Sequence, residues 1–299
     1  MYSFSLPFLS QFSVVKSQTT RIWDQRYNAL KPLKSEGNTR YDDIQSRRLL
    51  NIVSLKEKGY KVSHLCHIND EDVFSIMQNS TQISSKDTSE YYVNQLLSAG
   101  MSFDLDHFEH ILSVSFSAYG IKEAYKKVIN PVMNRIGSMW ASDLMTSVSE
   151  HFMSNTFHQK LSVAVDSLDL PGPNKETCLL LLPENEFHEL PLLYASFLIR
   201  LSDRKVIYLG NKVPIKSLRS AVLKTKPDNI LMFFVDFVLT EQIQKDIDSI
   251  NKYFLGDRIY LAGKHKLIKS IQNAEFLGSA SDIKVILGLN EYSQTKKIG

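Results

Sequence analysis

The sequence predicts a multidomain chain, α and α/β: a module of short helices, a bundle of about four helices, then a parallel five-stranded sheet of flavodoxin or Rossmann-like type. Three observations predict it. Apolar residues recur at three- and four-residue spacing over 89–166, with no convincing strand. Beyond Pro171-Gly172-Pro173, short apolar runs alternate with helical stretches. Charge is uneven: residues 1–70 hold eleven Lys/Arg against six Asp/Glu, a surplus of +5, which leaves −2 for the rest of a chain whose net charge is +3.

The bulk properties exclude several classes. With 299 residues, 43% hydrophobic and 22% charged, the chain reads as a soluble globular protein of two or three domains, not a collagen, a mucin or a disordered tail. No run approaches the ~18 apolar residues of a spanning helix, so no membrane is expected. Met1 to Lys16 is apolar, but it has no basic residue before Lys16 and no small-residue cleavage site; it is not expected to be a signal peptide. Cys66 and Cys178 make neither a disulfide framework nor a metal signature, and fit a reducing, cytoplasmic setting.

The first domain is expected over 1–79. Ser5-Leu6-Pro7 looks like a helix start, with Pro tolerated in the first turn. Ser17 is placed to cap a helix through Arg21, Ile22 and Trp23 to Tyr27. Lys34 to Thr39 is a polar turn. From Asp42 a longer helix carries Ile44, Leu49, Ile52, Val53 and Leu55 and stops near Gly59. Val62 to Ile68 and Glu71 to Met77 complete the module, and the polar run 78–88 is a linker. Over 89–166, Leu96, Leu97, Phe103, Phe108, Ile111, Leu112, Phe116 and the residues that continue this period to Trp140 and Leu144 are the expected core of the bundle. The third domain, 176–292, takes its strands from Thr177–Leu182, Lys205–Leu209, Asn229–Val235, Arg258–Leu261 and a weaker Ala274–Leu277, followed by a last helix. In such a sheet, ligands sit beyond the strands' carboxyl ends.

The stretch Ser17-Gln18-Thr19-Thr20-Arg21-Ile22-Trp23-Asp24-Gln25-Arg26-Tyr27 combines basic and polar side chains with apolar ones, as a helix that reads DNA requires. With Leu30-Lys31-Pro32 and Arg40-Tyr41 it resembles the MerR-type winged helix-turn-helix over about residues 4–70. That resemblance implies double-stranded DNA as partner. Arg21, Arg26 and Arg40 are then the phosphate or base contacts, and Gln18 and Thr19 reach base edges. Ile22 and Trp23 are read as core. The family has Gly in the turn before this helix; here Val14 lies there, and since Val disfavours positive φ the turn is expected to be remodelled.

Trp140 is followed, after nine residues, by Glu150-His151. On one continuous helix, ~100° per residue places His151 about 20° from Trp140. Taken alone, this is a core stripe. The spacing nevertheless matches the Trp-x9-Glu-His motif of CarH-like light-sensing repressors, which join a MerR-type domain, a four-helix cap and a Rossmann-like cobalamin domain in the order inferred above. The resemblance implies adenosylcobalamin, with Trp140, Glu150 and His151 over its upper face. The family's lower-face motif, Glu/Asp-x-His-x-x-Gly, is similar to Glu186-Phe187-His188 here, and it implies His188 as ligand to the cobalt, oriented by Glu186. Read from the loop alone, His188 is an ordinary histidine before a Pro-initiated helix. Gly210 and Gly263 match further cofactor-binding positions. Departures are Pro191 for the motif's Gly, Phe233 to Phe237 (Asp236 among them) for small hydroxyl residues, Ala262 for the first of two glycines, and Ala141 for a His beside the Trp.

The histidines near Cys66 (His64, His67) and the pair His107/His110 flanking Glu109 are read as solvent-exposed rather than metal ligands. With no phosphate loop, nucleophile elbow or acid–base pair, an enzyme is not expected. The sequence reads as a sequence-specific, DNA-binding transcription regulator and a homo-oligomer (dimer or tetramer), and the resemblance implies control by adenosylcobalamin and light. Two alternatives stand beside it. One is a MerR-type regulator that no longer binds cobalamin and uses its C-terminal half for oligomerisation or another ligand. The other is a corrinoid-carrying methyl-transfer protein, for which a basic winged helix has no use.

Overall fold

A computed structural model describes residues 4–35, 38–79, 89–140, 146–184, 186–234, 240–263, 268, 270–278 and 283. The chain divides into two compact units, Met1–Thr156 and Phe157–Gly299.

The first unit opens with β1 (Phe4–Ser5), α1 (Leu6–Ser13), α2 (Ser17–Tyr27), β2 (Leu33–Ser35) and β3 (Asn38–Tyr41). The strands form a small antiparallel sheet in the order β1-β3-β2, in which β2 and β3 pair as a wing from Leu33–Arg40 to Ser35–Asn38. Sequence reasoning missed β1: two residues carry no period. It also misplaced a cap. Lys16, not Ser17, precedes the first turn of α2, and the Ser17 hydroxyl instead meets that of Ser10 at 2.7 Å. The α1–α2 turn keeps its left-handed geometry despite the side chain: Val14 sits at φ 57°, ψ 24°. The expected remodelling does not occur: Val14, whose side chain is exposed, takes the left-handed conformation at a local backbone cost.

Helix α3 (Asp43–Glu57) starts in a full capping box: Gln45 N–H donates to Asp42 Oδ1 at 2.8 Å, and Asp42 N–H donates to Gln45 Oε1 at 2.9 Å. It buries Leu49, Leu50, Ile52, Val53 and Leu55, whereas Ile44, in the first turn, is exposed. Short α4 (Val62–His67) and α5 (Asp70–Asn79) follow. Arg48 binds the module together. Its guanidinium donates to the carbonyls of Ala29 (2.8 Å), Ile68 (2.9 Å) and Cys66 (3.2 Å), and pairs with Asp70. It thus satisfies carbonyls at the end of α4 that lack helical partners.

The bundle comprises α6 (Ser89–Ser102), α7 (Leu105–Ala124, broken at Gly120), a π-helical turn (Tyr125–Ile129) running into α8 (Asn130–Trp140), and α9 (Ser147–Asp166). Every residue of α6 from Tyr91 to Gly100 is buried. Such a helix needs packing on all sides: α3 lies on one face, α7, the π turn and α8 on others. The pairs Ser54–Gln95 and Lys58–Tyr91 fix α3 and α6 as antiparallel. Phe103, expected in the core, is 48% exposed because it holds the left-handed turn (φ 56°) between α6 and α7. The linker from 80 to 88 lies outside the described residues.

The second unit, beyond the end of α9, is the parallel sheet. Its strands are β4 (Thr177–Pro183), β5 (Lys205–Val213), β6 (Asn229–Phe234), β7 (Arg258–Gly263) and β8 (Glu275–Leu277), interleaved with α10 (Glu189–Leu201), α11 (Leu218–Thr225) and α12 (Thr240–Asn251). The order β5-β4-β6-β7-β8 is the flavodoxin-like one, all parallel. β4 and β6 are central and covered on both faces, which is why Leu179–Leu182 and Ile230–Phe234 are apolar without alternation. The expected last helix falls outside the described residues apart from Ile283.

Candidate functional site

In the first unit, α2 has two faces. Thr20 and Trp23 are buried, whereas Gln18, Arg21, Ile22, Gln25 and Arg26 are exposed and Thr19 is half-buried. Ile22 therefore corrects the sequence reading: it does not pack the core, because 22 falls on the stripe with 18, 25 and 26 that the turn after Val14 leaves facing solvent. Arg40, on β3, is also exposed. Asp24 fixes α2 against the wing. Its carboxylate accepts from Leu30 N–H (2.8 Å) and from the Tyr41 hydroxyl (3.0 Å). Burial raises the Asp24 carboxyl above its usual range, and these two hydrogen bonds oppose the shift; burial and the Asp24 charge raise the Tyr41 phenol as well. Asp24 and Tyr41, quoted as motif letters, are structural struts. Arg48, which the sequence reading passed over, is another; no local pattern marks a residue whose partners lie 18 to 22 positions away.

The cap residues do not share one helix. Trp140 ends α8, residues 141–145 (Ala141 among them) lie outside the described residues, and Thr146 begins anew, its Oγ1 accepting from Ser149 N–H at 3.1 Å. Trp140 and His151 are therefore not held about 20° apart, as a single continuous helix would hold them. Glu150 and His151 stand in the first turns of α9, His151 Nδ1 3.2 Å from Glu150 Oε2, with His151 exposed and Glu150 less so. The Trp140 side chain lies outside the described residues.

In the second unit, the loop after β4 leads into α10 at the sheet's carboxyl edge, beside the point where the chain reverses from β5 to β6. Glu186 is 1% exposed. Its Oε1 accepts from Phe187 N–H (3.0 Å), His188 N–H (3.0 Å) and His188 Nδ1 (2.7 Å). An ionised carboxylate can only accept, so in the neutral imidazole of His188 the proton is on Nδ1 and the lone pair on Nε2. The ring, 45% exposed, is held by its one bond to Glu186 Oε1, which two main-chain N–H groups fix in turn, as a metal-binding imidazole is held by its carboxylate. Pro191 occupies the first turn of α10, where a missing N–H costs nothing.

Glu189 staples this loop to β5. Tyr208 Oη donates to its Oε1 (3.0 Å) and Asn211 Nδ2 to its Oε2 (2.9 Å), while His158 Nε2 lies 3.7 Å from Oε1. Residues 208 and 211 would face opposite ways on a regular strand. The register slips between Leu180 and Leu181, and Gly210 takes φ 75°, so the bulge brings both to one carboxylate. Gly263 has a different reason for being glycine: a Cβ there would collide with the Phe234 carbonyl oxygen and approach Ile268. Glu186 and His188 thus have the chemistry of a carboxylate-oriented metal-binding imidazole, which would suit the cobalt of a corrinoid, whereas Gly263 is taken up by strand packing. Asp236 lies outside the described residues, and Ala262 is buried in β7.

Burial pushes the Cys178 thiol up to about 12 and raises Cys66 too, which suits neither as nucleophile or thiolate ligand. Among the described residues, no three His, Cys, Asp or Glu side chains gather to hold a metal ion, and no helix is long and apolar enough to cross a membrane. His64, His67 and His110 are exposed as expected. His107 is not: it is 8% exposed, its Nε2 3.0 Å from Gln95 Oε1. The helix starting at Leu105 turns position 107 inward with Phe108.

Comparison with known proteins supports both halves. Residues 9–70 match the MerR HTH family regulatory protein model, and residues 92–164 match the B12 binding domain model. The HTH-type transcriptional repressor CarH of Myxococcus xanthus is 23% identical over 231 residues, 76% of this chain and 77% of that protein. The HTH-type transcriptional repressor CarA of the same organism is 22% identical over 232 residues, 76% of this chain and 75% of that protein. The monomethylamine corrinoid protein of Methanosarcina barkeri superposes with a TM-score of 0.55 at 14% identity, covering 68% of this chain and all of that one, which shows a shared fold. The chain joins a MerR-type helix-turn-helix domain to a cobalamin-binding domain, the combination in which it matches CarH- and CarA-type repressors.

Proposed function

We propose that this chain is a cytoplasmic transcriptional regulator, not an enzyme, that binds promoter DNA through α2 and the wing and senses a corrinoid, adenosylcobalamin, through its C-terminal half. The observation that carries the corrinoid reading is the Glu186–His188 pair, a half-exposed imidazole whose tautomer a buried carboxylate dictates. When bound, the corrinoid would be held through its cobalt by His188 and would supply a light-sensitive organometallic centre. The chain's own residues do the rest. Glu186 holds the proton at His188 Nδ1, His188 offers Nε2, and Glu189 keeps the loop on β5. Arg21, Arg26 and Arg40 neutralise phosphates, so DNA affinity falls steeply as salt rises. A homo-oligomer, dimer or tetramer, supplies a second α2 for a second half-site. A ligand that prefers one oligomeric state then controls DNA occupancy.

The test is a dark titration of the full chain with adenosylcobalamin, desalting, and an absorption spectrum before and after illumination. Retained, light-responsive cobalamin that is lost in His188→Ala, with far-ultraviolet circular dichroism unchanged, supports the reading. No retained cobalamin overturns the corrinoid half of it. One observation favours a second reading, a regulator that takes another ligand in this half: Gly263 is closed against Phe234 and Ile268. Arg21→Ala addresses the DNA half separately, since it should weaken DNA binding and leave cobalamin retention alone.

A further inference from the structure

We propose that Ile22 is a base-reading side chain, placed to meet the C5-methyl group of a thymine in the major groove, between two glutamines that read adenines. The inference rests on the DNA-binding reading above and names what the helix recognises.

Ile22 is 39% exposed in the middle of α2. The opposite face of the helix is already closed by Thr20 and Trp23, with the Lys56 ammonium 5.9 Å from the Trp23 ring. Ile22 therefore contributes little to the core, and isoleucine is a mediocre helix former. Its neighbours on the exposed side are Gln18 and Arg26 at four residues' distance and Gln25 at three, with Arg21 adjacent in sequence. An apolar protein partner would find this surface poorly matched: the flanking guanidiniums of Arg21 and Arg26 and the ammonium of Lys16 would have to be desolvated. A duplex fits it. Phosphates take the cations, and the apolar group a B-form major groove presents at its base edges is the thymine methyl. Glutamine amides bond the N6–H and N7 of adenine in the same groove. Gln18, Ile22 and Gln25, at i, i+4 and i+7, form one stripe along the helix, so the three readers face one short A·T-containing step.

The experiment starts with the wild-type full chain and a pool of randomised 25-base-pair duplexes at physiological salt. In the best enriched duplex, each thymine is replaced in turn by deoxyuridine, which lacks only the methyl. Wild type should lose about fourfold in affinity at one thymine per half-site, the worth of one buried methyl. Ile22→Ala should bind the thymine duplex about as weakly as wild type binds that deoxyuridine duplex, and should show no further loss on it. Arg26→Ala should weaken all duplexes alike. Equal affinity of wild type for every deoxyuridine duplex, or an Ile22→Ala variant that keeps wild-type affinity, overturns the proposal and leaves the DNA reading standing. Failure of wild type to enrich any duplex overturns both.

Discussion

Ser54→Ala should destabilise the first unit by far more than the loss of one hydroxyl suggests. Ser54 and Gln95 are both fully buried where α3 crosses α6. Ser54 Oγ donates to Leu50 O at 2.8 Å and so accepts from Gln95 Nε2, also at 2.8 Å. That fixes the amide: Gln95 Oε1 faces His107 Nε2 at 3.0 Å, and the imidazole proton is on Nε2. The three side chains form one buried relay from α3 through α6 to α7. Removing Oγ strands an amide N–H away from solvent, at a cost of about 1–3 kcal/mol rather than the ~1 kcal/mol of an ordinary exchangeable bond. Flipping the amide only moves the defect, since the carbonyl oxygen then faces the methyl group that the substitution leaves at position 54. The double change Ser54→Ala with Gln95→Leu removes the stranded group and should cost at least about 1 kcal/mol less than the sum of the single changes. Both tryptophans, Trp23 and Trp140, lie in the first unit, so urea unfolding followed by tryptophan fluorescence reads this unit alone. A Ser54→Ala effect below about 0.5 kcal/mol, typical of a surface change, or strict additivity in the double variant, refutes the relay.

Burial, the main cause, lowers the His107 pKa; His110 adds to this and Asp104 opposes it. The unfolded chain then binds the proton that the folded one refuses, so first-unit stability is full above about pH 6.5 and falls as pH drops through the unfolded and then the folded value. Urea midpoints of wild type and His107→Gln between pH 7.5 and 5 check this, the variant showing the shallower loss. Arg48→Ala should cost about 2–4 kcal/mol, and Arg48→Lys should rescue little, because one ammonium cannot serve the carbonyls of Ala29, Cys66 and Ile68 together; thermal unfolding measures both. Val14→Gly relieves a β-branched residue at φ 57° worth about 1–2 kcal/mol, less about 0.5–1 kcal/mol of added chain entropy, so the melting temperature should rise slightly.

How much was legible in the sequence depended on whether the signal was local. The five strands and the flavodoxin-like sheet were readable because a buried parallel strand is a short unbroken apolar run, and such runs alternated with helices. The bundle was readable from its period. The errors share a cause, a tertiary choice between equally good local patterns. Ile22 carries an apolar side chain on the solvent stripe, so composition placed it in the core and geometry did not. His107 and His110 look alike in sequence, and only the rotation of α7 buries the first. Trp140 and His151 share a phase on an unbroken helix, and the new start at Thr146 breaks it. The Glu186–His188 pair was visible because its partners are two residues apart. The Glu189 staple was not, since its partners come from a bulge about twenty residues on and from another helix.

Although the sequence reads 78–88 as a linker, the helices on either side of it pack as one body. α6 is buried on every side, so it cannot shift without disturbing α3. α3 is in turn tied to the DNA-facing elements: Arg48 reaches the loop after α2, and Gln45 Nε2 donates to Lys31 O at 2.6 Å. α2 is locked to the wing by Asp24 and Tyr41. Turning α2 relative to the bundle while both stay folded therefore means parting α3 from α6, which breaks the buried Ser54–Gln95 bond and the Lys58–Tyr91 contact between them. Apolar burial resists that separation at about 25 cal/mol per Å², and the buried amide makes every offset of the seam costly until water enters.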